Sequence, residues 1–106
     1  MKVNLSCIAI LFLAAPIFTP SLAQNVGTDT YKAKCAMCHG ADGLGNTPAG
    51  KNLKAASFKD PAVVKVSDAE MIAVVQKGKN KMPAYAGKLT DDQIKAAVAY
   101  IRTLQK

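Results

Sequence analysis

Histidine occurs once in this chain of 106 residues, and cysteine only three times. These shortages exclude several classes of protein. A structural zinc site ordinarily takes four ligands, and one His with the two Cys left after leader removal falls short of that number. No segment alternates apolar and polar residues as a half-buried strand does. The βαβ setting that a thioredoxin-like Cys-x-x-Cys requires is therefore missing. Long hydrophobic runs are also scarce. The apolar stretch over residues 8–15 is well short of the roughly 20 residues that span a bilayer, and Pro16 and Pro20 interrupt its continuation. Acidic residues are few, seven against 14 Lys and Arg, for a net charge of +7. Such an excess suits nucleic acid, an anionic membrane or an acidic protein partner. No basic amphipathic helix with bulky aromatics points to a membrane surface.

What is present at the N-terminus is an export signal. Lys2 gives a positive start, residues 8–15 an apolar core, and Ser21-Leu22-Ala23 a small-x-small cleavage site. Cys7 precedes the apolar core, where a lipoprotein cysteine would follow it. The expected organisation is a leader over residues 1–23, removed, and one domain over residues 24–106. The expected location is the periplasm, or the thylakoid lumen in a phototroph, without stable membrane insertion. An exported chain seldom meets nucleic acid, which leaves an acidic protein as the expected partner.

The retained cysteines lie in the run Cys35-Ala36-Met37-Cys38-His39. Cys-x-x-Cys-His is the attachment signature of a c-type haem. Two thiols in one tight turn can each form a thioether with one haem vinyl group. The adjoining His39 then brings an imidazole nitrogen to the iron. Both mature cysteines are used in this way, and no intramolecular disulfide is required. So small a domain gains from a covalent staple, and haem attachment outside the cytoplasm agrees with export.

The remaining pattern predicts an all-α domain, with three main helices and a short one around the haem. The first runs from about Thr28 into the Cys35 turn, with Gly27, Tyr31 and Cys35 on one face. Residues 40–56, rich in Gly and containing Pro48, read as a loop. Asp60-Pro61 opens a short helix. Ser67-Asp68-Ala69-Glu70 is a capping box before Met71, Ile72, Val74 and Val75, with Gly78 as the stop. Thr90-Asp91-Asp92-Gln93 is a second box, before the stripe Ile94, Ala97, Val98, Ile101 and Leu104. No internal repeat or linker is visible.

A second axial ligand must come from a methionine or a lysine, because the lone His excludes bis-His ligation. Met37 lies within the turn on the His39 side and cannot cross the ring. Met71 belongs to an apolar helical stripe and reads as core. Met82 stands in the loop Lys79-Asn80-Lys81-Met82-Pro83, remote from His39, with Pro83 restricting the backbone that carries it. Met82 is the expected ligand. A His/Met pair raises the potential and leaves no open iron site, which argues for a one-electron carrier and not an enzyme.

On these residues the mature chain resembles the class I cytochromes c over nearly its whole length. Gly27 and Tyr31 look like the glycine and aromatic of the family's N-terminal helix, and Val98-Ala99-Tyr100-Ile101 like the matching contact on the C-terminal helix. The segment from Gly78 to Tyr85 is similar to that of the small cyanobacterial and algal cytochromes. The resemblance implies the cytochrome c fold, one covalent haem c on Cys35 and Cys38, and His39 and Met82 on the iron. It implies a monomeric periplasmic carrier with transient acidic redox partners. Alternatives are a haem c subunit of a larger dehydrogenase or oxidase and, in a different class, a gas-binding or peroxidatic haem protein. In one place the chain departs from the family. Where many members have a Pro before Asn-Leu, whose carbonyl accepts the ligand imidazole N–H, this chain has Lys51. The acceptor is left between the Lys51 and Pro48 carbonyls. Lys77, Lys79 and Lys81, joined by Lys51, Lys54 and Lys88, are expected to form a cationic ring that steers the partner.

Overall fold

The computed structural model describes Ala14 and residues 22–106, so nearly all of the expected leader lies outside the described residues. Among the described residues six helices follow one another: α1 (Leu22–Lys34), α2 (Ala36–His39), α3 (Pro48–Leu53), α4 (Pro61–Val64), α5 (Asp68–Lys77) and α6 (Asp91–Leu104). Among the described residues there is no strand, only the isolated bridges Lys79–Met82 and Ala86–Leu89. The three long helices α1, α5 and α6 are those read from the sequence. Helix α1 begins at Leu22, earlier than the expected Thr28, since neither Pro nor Gly interrupts residues 22–26.

The caps explain where most helices start. The Thr90 hydroxyl accepts from the Gln93 amide at 3.1 Å, and the Gln93 side chain accepts from the Thr90 amide at 2.8 Å, completing the capping box of α6. Ser67 accepts from the Glu70 amide at 3.1 Å, the forward half of the expected box. Asp60 accepts from the Ala62 amide at 2.9 Å, and Pro61 takes the first position of α4. Gly78, at φ 74°, ends α5.

Helix α3 corrects the expected loop over residues 40–56. Thr47 caps it by accepting from the Gly50 amide at 2.9 Å, and Pro48 follows at its first turn. Gly50 is a packing glycine here, not a helix breaker. A Cβ at this position would stand 2.1 Å from the Cys38 carbonyl oxygen, so only glycine lets α3 lie against the Cys35–His39 turn.

The core forms where α1 and α6 cross. A Cβ on Gly27 would meet the Ala96 carbonyl oxygen at 2.3 Å, which sets how closely the two helices approach. Beside this contact Tyr31 packs on Tyr100 with ring centroids 5.0 Å apart. Tyr31 and Ile94 are wholly buried, with Val98 and Ile101 next to them. Met71 and Val75 of α5 and Phe58 complete the core, so the core role read for Met71 is the one it has. Full burial of such side chains is worth about 1.5–3 kcal/mol each. The packed helices leave one flank open between the Cys35–His39 turn and the segment between α5 and α6, and the site lies there.

Candidate functional site

Cys35, Cys38, His39 and Met82 all line one cavity of about 330 Å³. Residues from two segments remote in sequence are thus brought together. Met71 reaches the same cavity from α5 as part of its apolar wall. Met37 points elsewhere and is 75% exposed.

Local backbone geometry presents the first group. The Cys38 and His39 amides both donate to the Cys35 carbonyl, at 3.2 and 2.9 Å. They close a single turn that carries both thiols and the imidazole. Tyr31 pins its exit, donating from its hydroxyl to the Gly40 carbonyl at 2.5 Å. The Thr47 hydroxyl shares its proton between the Met37 and Cys38 carbonyls, at 2.6 and 3.1 Å. Met82 is held by a turn in which its amide donates to the Lys79 carbonyl at 2.9 Å and the Lys79 amide to its own carbonyl at 3.2 Å. Asn80 occupies the left-handed region there, φ 54°, which Asn tolerates better than most residues. The Tyr85 hydroxyl donates to the Lys34 carbonyl at 3.1 Å and ties this loop to the end of α1.

His39 has a definite orientation. Its Nδ1 lies 3.1 Å from the Ala56 carbonyl. A carbonyl can only accept, so Nδ1 carries the proton and Nε2 keeps its lone pair for a metal. The Phe58 ring stacks on the imidazole at 4.5 Å and 21°. The expected acceptor, Lys51 or Pro48, is thereby corrected to Ala56. Both earlier residues are built into α3. That helix ends in a left-handed turn at Lys54, φ 56°, after which residues 55–58 continue past the imidazole.

The cavity is poorly solvated, and its titratable groups reflect this. Burial pushes the Cys35 thiol up to about 11. Burial raises Tyr85, with lesser contributions from Cys35 and Cys38. Burial lowers His39 below its usual value, and the Ala56 hydrogen bond partly opposes it. All three shifts favour neutral groups. Two free thiols, a neutral imidazole with a free Nε2 and a thioether in an apolar cavity fit a haem of the c type. They do not fit a hydrated ion, and among the described residues no group of three or more His, Cys, Asp or Glu forms a metal cluster.

Four exposed lysines, Lys34, Lys54, Lys79 and Lys81, border the cavity. Three of them belong to the expected cationic ring, and Lys34 was not foreseen. Lys51, Lys77 and Lys88 are not among the bordering residues; Lys88 instead sits over the Tyr85 ring, 5.9 Å from its centroid. Sequence reasoning also missed Ala56 and Phe58. A carbonyl acceptor has no side-chain signature, and a lone Phe between short helices does not reveal its partner.

The chain is similar to known proteins in sequence and fold. The sequence profile of the family described as cytochrome C oxidase, cbb3-type, subunit III matches residues 23–101. Cytochrome c6 of Thermosynechococcus vestitus is 38% identical over 103 residues, covering 93% of this chain and 87% of that protein. Cytochrome c6 of Synechococcus elongatus is 41% identical over 76 residues, covering 71% and 83%. The solved KustC0563 c-type cytochrome superposes with a TM-score of 0.69 at 34% identity, over 76% of this chain and 98% of that one. The structure of cytochrome c6 from the diatom Phaeodactylum tricornutum gives a TM-score of 0.59 at 29% identity, over 77% and 93%.

Proposed function

The chain belongs to the small monohaem class I c-type cytochromes, and from that premise we propose that Cys35 and Cys38 anchor its haem while His39 and Met82 bind the iron. It is an electron carrier, not an enzyme, and carries one covalently bound haem c. The observation that supports the residue assignment is the single cavity into which all four side chains converge. The bound group supplies a one-electron iron couple.

This chain's own residues hold that couple and tune it. Cys35 and Cys38 provide the two thioether sulfurs. Ala56 keeps the His39 proton on Nδ1, which fixes the tautomer and strengthens Nε2 as a donor. As an iron ligand, the Met82 thioether would favour the ferrous state and raise the potential. With His39 and Met82 both held by the iron, no position on it would be left for a substrate. Phe58, Val75 and Ile101 wall the site against water.

The partner reading follows from charge. Lys34, Lys54, Lys79 and Lys81 border the cavity without acidic residues among them. They suit an acidic redox protein met transiently, with this chain acting as a monomer. Cleavage after Ala23 and release to the periplasm complete the reading; the export pattern of residues 1–23 supports them.

Two measurements test the assignment. The exported protein should have the mass of a chain beginning at Gln24 plus one haem, and acid acetone should extract no haem. The ferric protein should show the weak band toward the red end of the spectrum that marks sulfur bound to iron. Met82→Ala should abolish that band and let carbon monoxide bind the ferrous form. Persistence of the band in Met82→Ala would refute Met82 as the ligand.

A further inference from the structure

Both contacts that orient the His39 ring come from one short segment, residues 56–58. The Ala56 carbonyl accepts from Nδ1 and the Phe58 ring stacks on the imidazole. This segment lies outside every helix, so its placement depends on whatever ties it down. The Phe58 amide donates to the Gly43 carbonyl at 2.8 Å, and the Phe58 carbonyl accepts from the Gln105 side chain at 3.0 Å. Gln105 is the residue just beyond α6, far from the haem-binding run in sequence.

Arg102 fixes how Gln105 acts. Its Nη1 donates to the Gln105 side-chain oxygen at 3.0 Å. A guanidinium only donates, so the amide oxygen must face Arg102 and the amide nitrogen must face Phe58. Hydrogen-bond logic thus settles the orientation of this amide. Arg102 is itself held from two sides. Its Nε donates to Asp68 at 2.8 Å, and its Nη2 donates to the Val66 carbonyl. The Arg102 side chain is only 26% exposed, whereas that of Asp68 is 71% exposed. The chain of bonds runs from the start of α5, across the end of α6, to the Phe58 backbone. Joining an obligate donor to a carbonyl requires a side chain that both accepts and donates, and Gln105 meets that requirement at this reach.

We propose that Arg102 and Gln105 form a strap that positions His39 by holding residues 56–58, making both of them positioning residues for the redox centre. The proposal rests on His39 being an iron ligand. Loosening the strap lets the segment move and weakens the Ala56 hydrogen bond to Nδ1. A less basic imidazole stabilises the ferric state less, so the midpoint potential should rise.

The test uses the haem-loaded protein and Gln105→Met, a neutral change of similar length that can neither donate nor accept as the amide does. The Phe58 amide should exchange with solvent about five-fold faster, the equivalent of one hydrogen bond of net worth about 1 kcal/mol. The midpoint potential should shift upward. Arg102→Lys should shift it in the same direction, because one ammonium cannot reproduce the guanidinium's three bonds. Thr103→Val supplies the control. It removes the bond from the Thr103 hydroxyl to the Tyr100 carbonyl in the same helical turn without touching the strap, and should leave both readouts unchanged. Unchanged exchange at Phe58, or faster exchange with a constant or lower potential, would overturn the proposal. Failure of the His39 assignment is read separately, from absence of hyperfine-shifted His39 ring-proton resonances in the unsubstituted ferric protein.

Discussion

Replacing Gly50 with alanine should destabilise the protein although the position is helical. The backbone there has an ordinary negative φ, since Gly50 is not among the positive-φ glycines. On propensity alone, alanine would gain up to about 1 kcal/mol. Packing reverses that sign. The new Cβ would stand 2.1 Å from the Cys38 carbonyl oxygen, 2.7 Å from the Gly45 carbonyl oxygen and 2.9 Å from the Thr47 hydroxyl. Two of these are backbone atoms that cannot rotate away. Overpacking of this kind costs about 1–3 kcal/mol. Moving α3 outward would also strain the Thr47 bonds to the Gly50 amide and to the Cys38 carbonyl, each worth about 1 kcal/mol. The net expectation is a loss of about 1–3 kcal/mol, or a Tm lower by about 5–20 °C for a domain of this size.

Thermal unfolding of the haem-loaded protein, followed by far-ultraviolet circular dichroism, measures this loss. Gly27→Ala provides the comparison. It should lower Tm through the clash with Ala96 at the α1–α6 crossing, away from the Cys35–His39 turn. Only Gly50→Ala should also move the hyperfine-shifted proton resonances of the ferric protein, because only it presses on Cys38. An unchanged or higher Tm for Gly50→Ala would refute the close contact between α3 and the turn.

Met71→Ala should cost about 2–5 kcal/mol in chemical denaturation, since the side chain is buried, yet leave the sulfur–iron band intact; loss of the band would mean that Met71 binds the iron. The bimolecular electron-transfer rate with the native partner should fall as salt rises, because steering charges are screened over about 8–10 Å at physiological ionic strength. Charge reversal at Lys79 or Lys81 should slow that rate more than reversal at Lys106, and equal effects would reduce the cavity lysines to a solubilising surface.

Much of the helical frame was legible because its signals are local. Thr90 with Gln93, Ser67 with Glu70 and Asp60 with Pro61 each act within four residues, and the structure forms their caps. Helix α3 was missed although Thr47-Pro48 carries the same kind of signal. Five residues in the stretch 40–50 are Gly or Pro, and their combined weight favoured a loop. The reason Gly50 is tolerated, its approach to Cys38, is a tertiary contact that no local window contains. The left-handed turn at Lys54 was equally hidden, because lysine gives no sign of a positive φ. That turn is what displaces the His39 acceptor from the expected residues to Ala56.

The groups that carry the chemistry and the groups that place them differ in kind, and this explains which half of the site a sequence reveals. Thiols, an imidazole and a thioether are distinctive side chains, and three of the four positions share one motif. Their supports are largely backbone carbonyls, which every residue has. Tyr31 holds Gly40, Thr47 holds Met37 and Cys38, Tyr85 holds Lys34, and Gln105 holds Phe58, in each case by a side chain donating to a carbonyl. The donor ends of these bonds are visible in the sequence as Tyr, Thr and Gln, but nothing local says which carbonyl each will meet. The carbonyls at residues 34, 37, 38 and 40 flank or lie within the Cys35–His39 run, where a rigid turn needs its outward-facing acceptors satisfied. The tethers come from α1, from the cap of α3 and from the loop after α5. Folding of these elements and orientation of the redox site are therefore coupled through the same few hydrogen bonds.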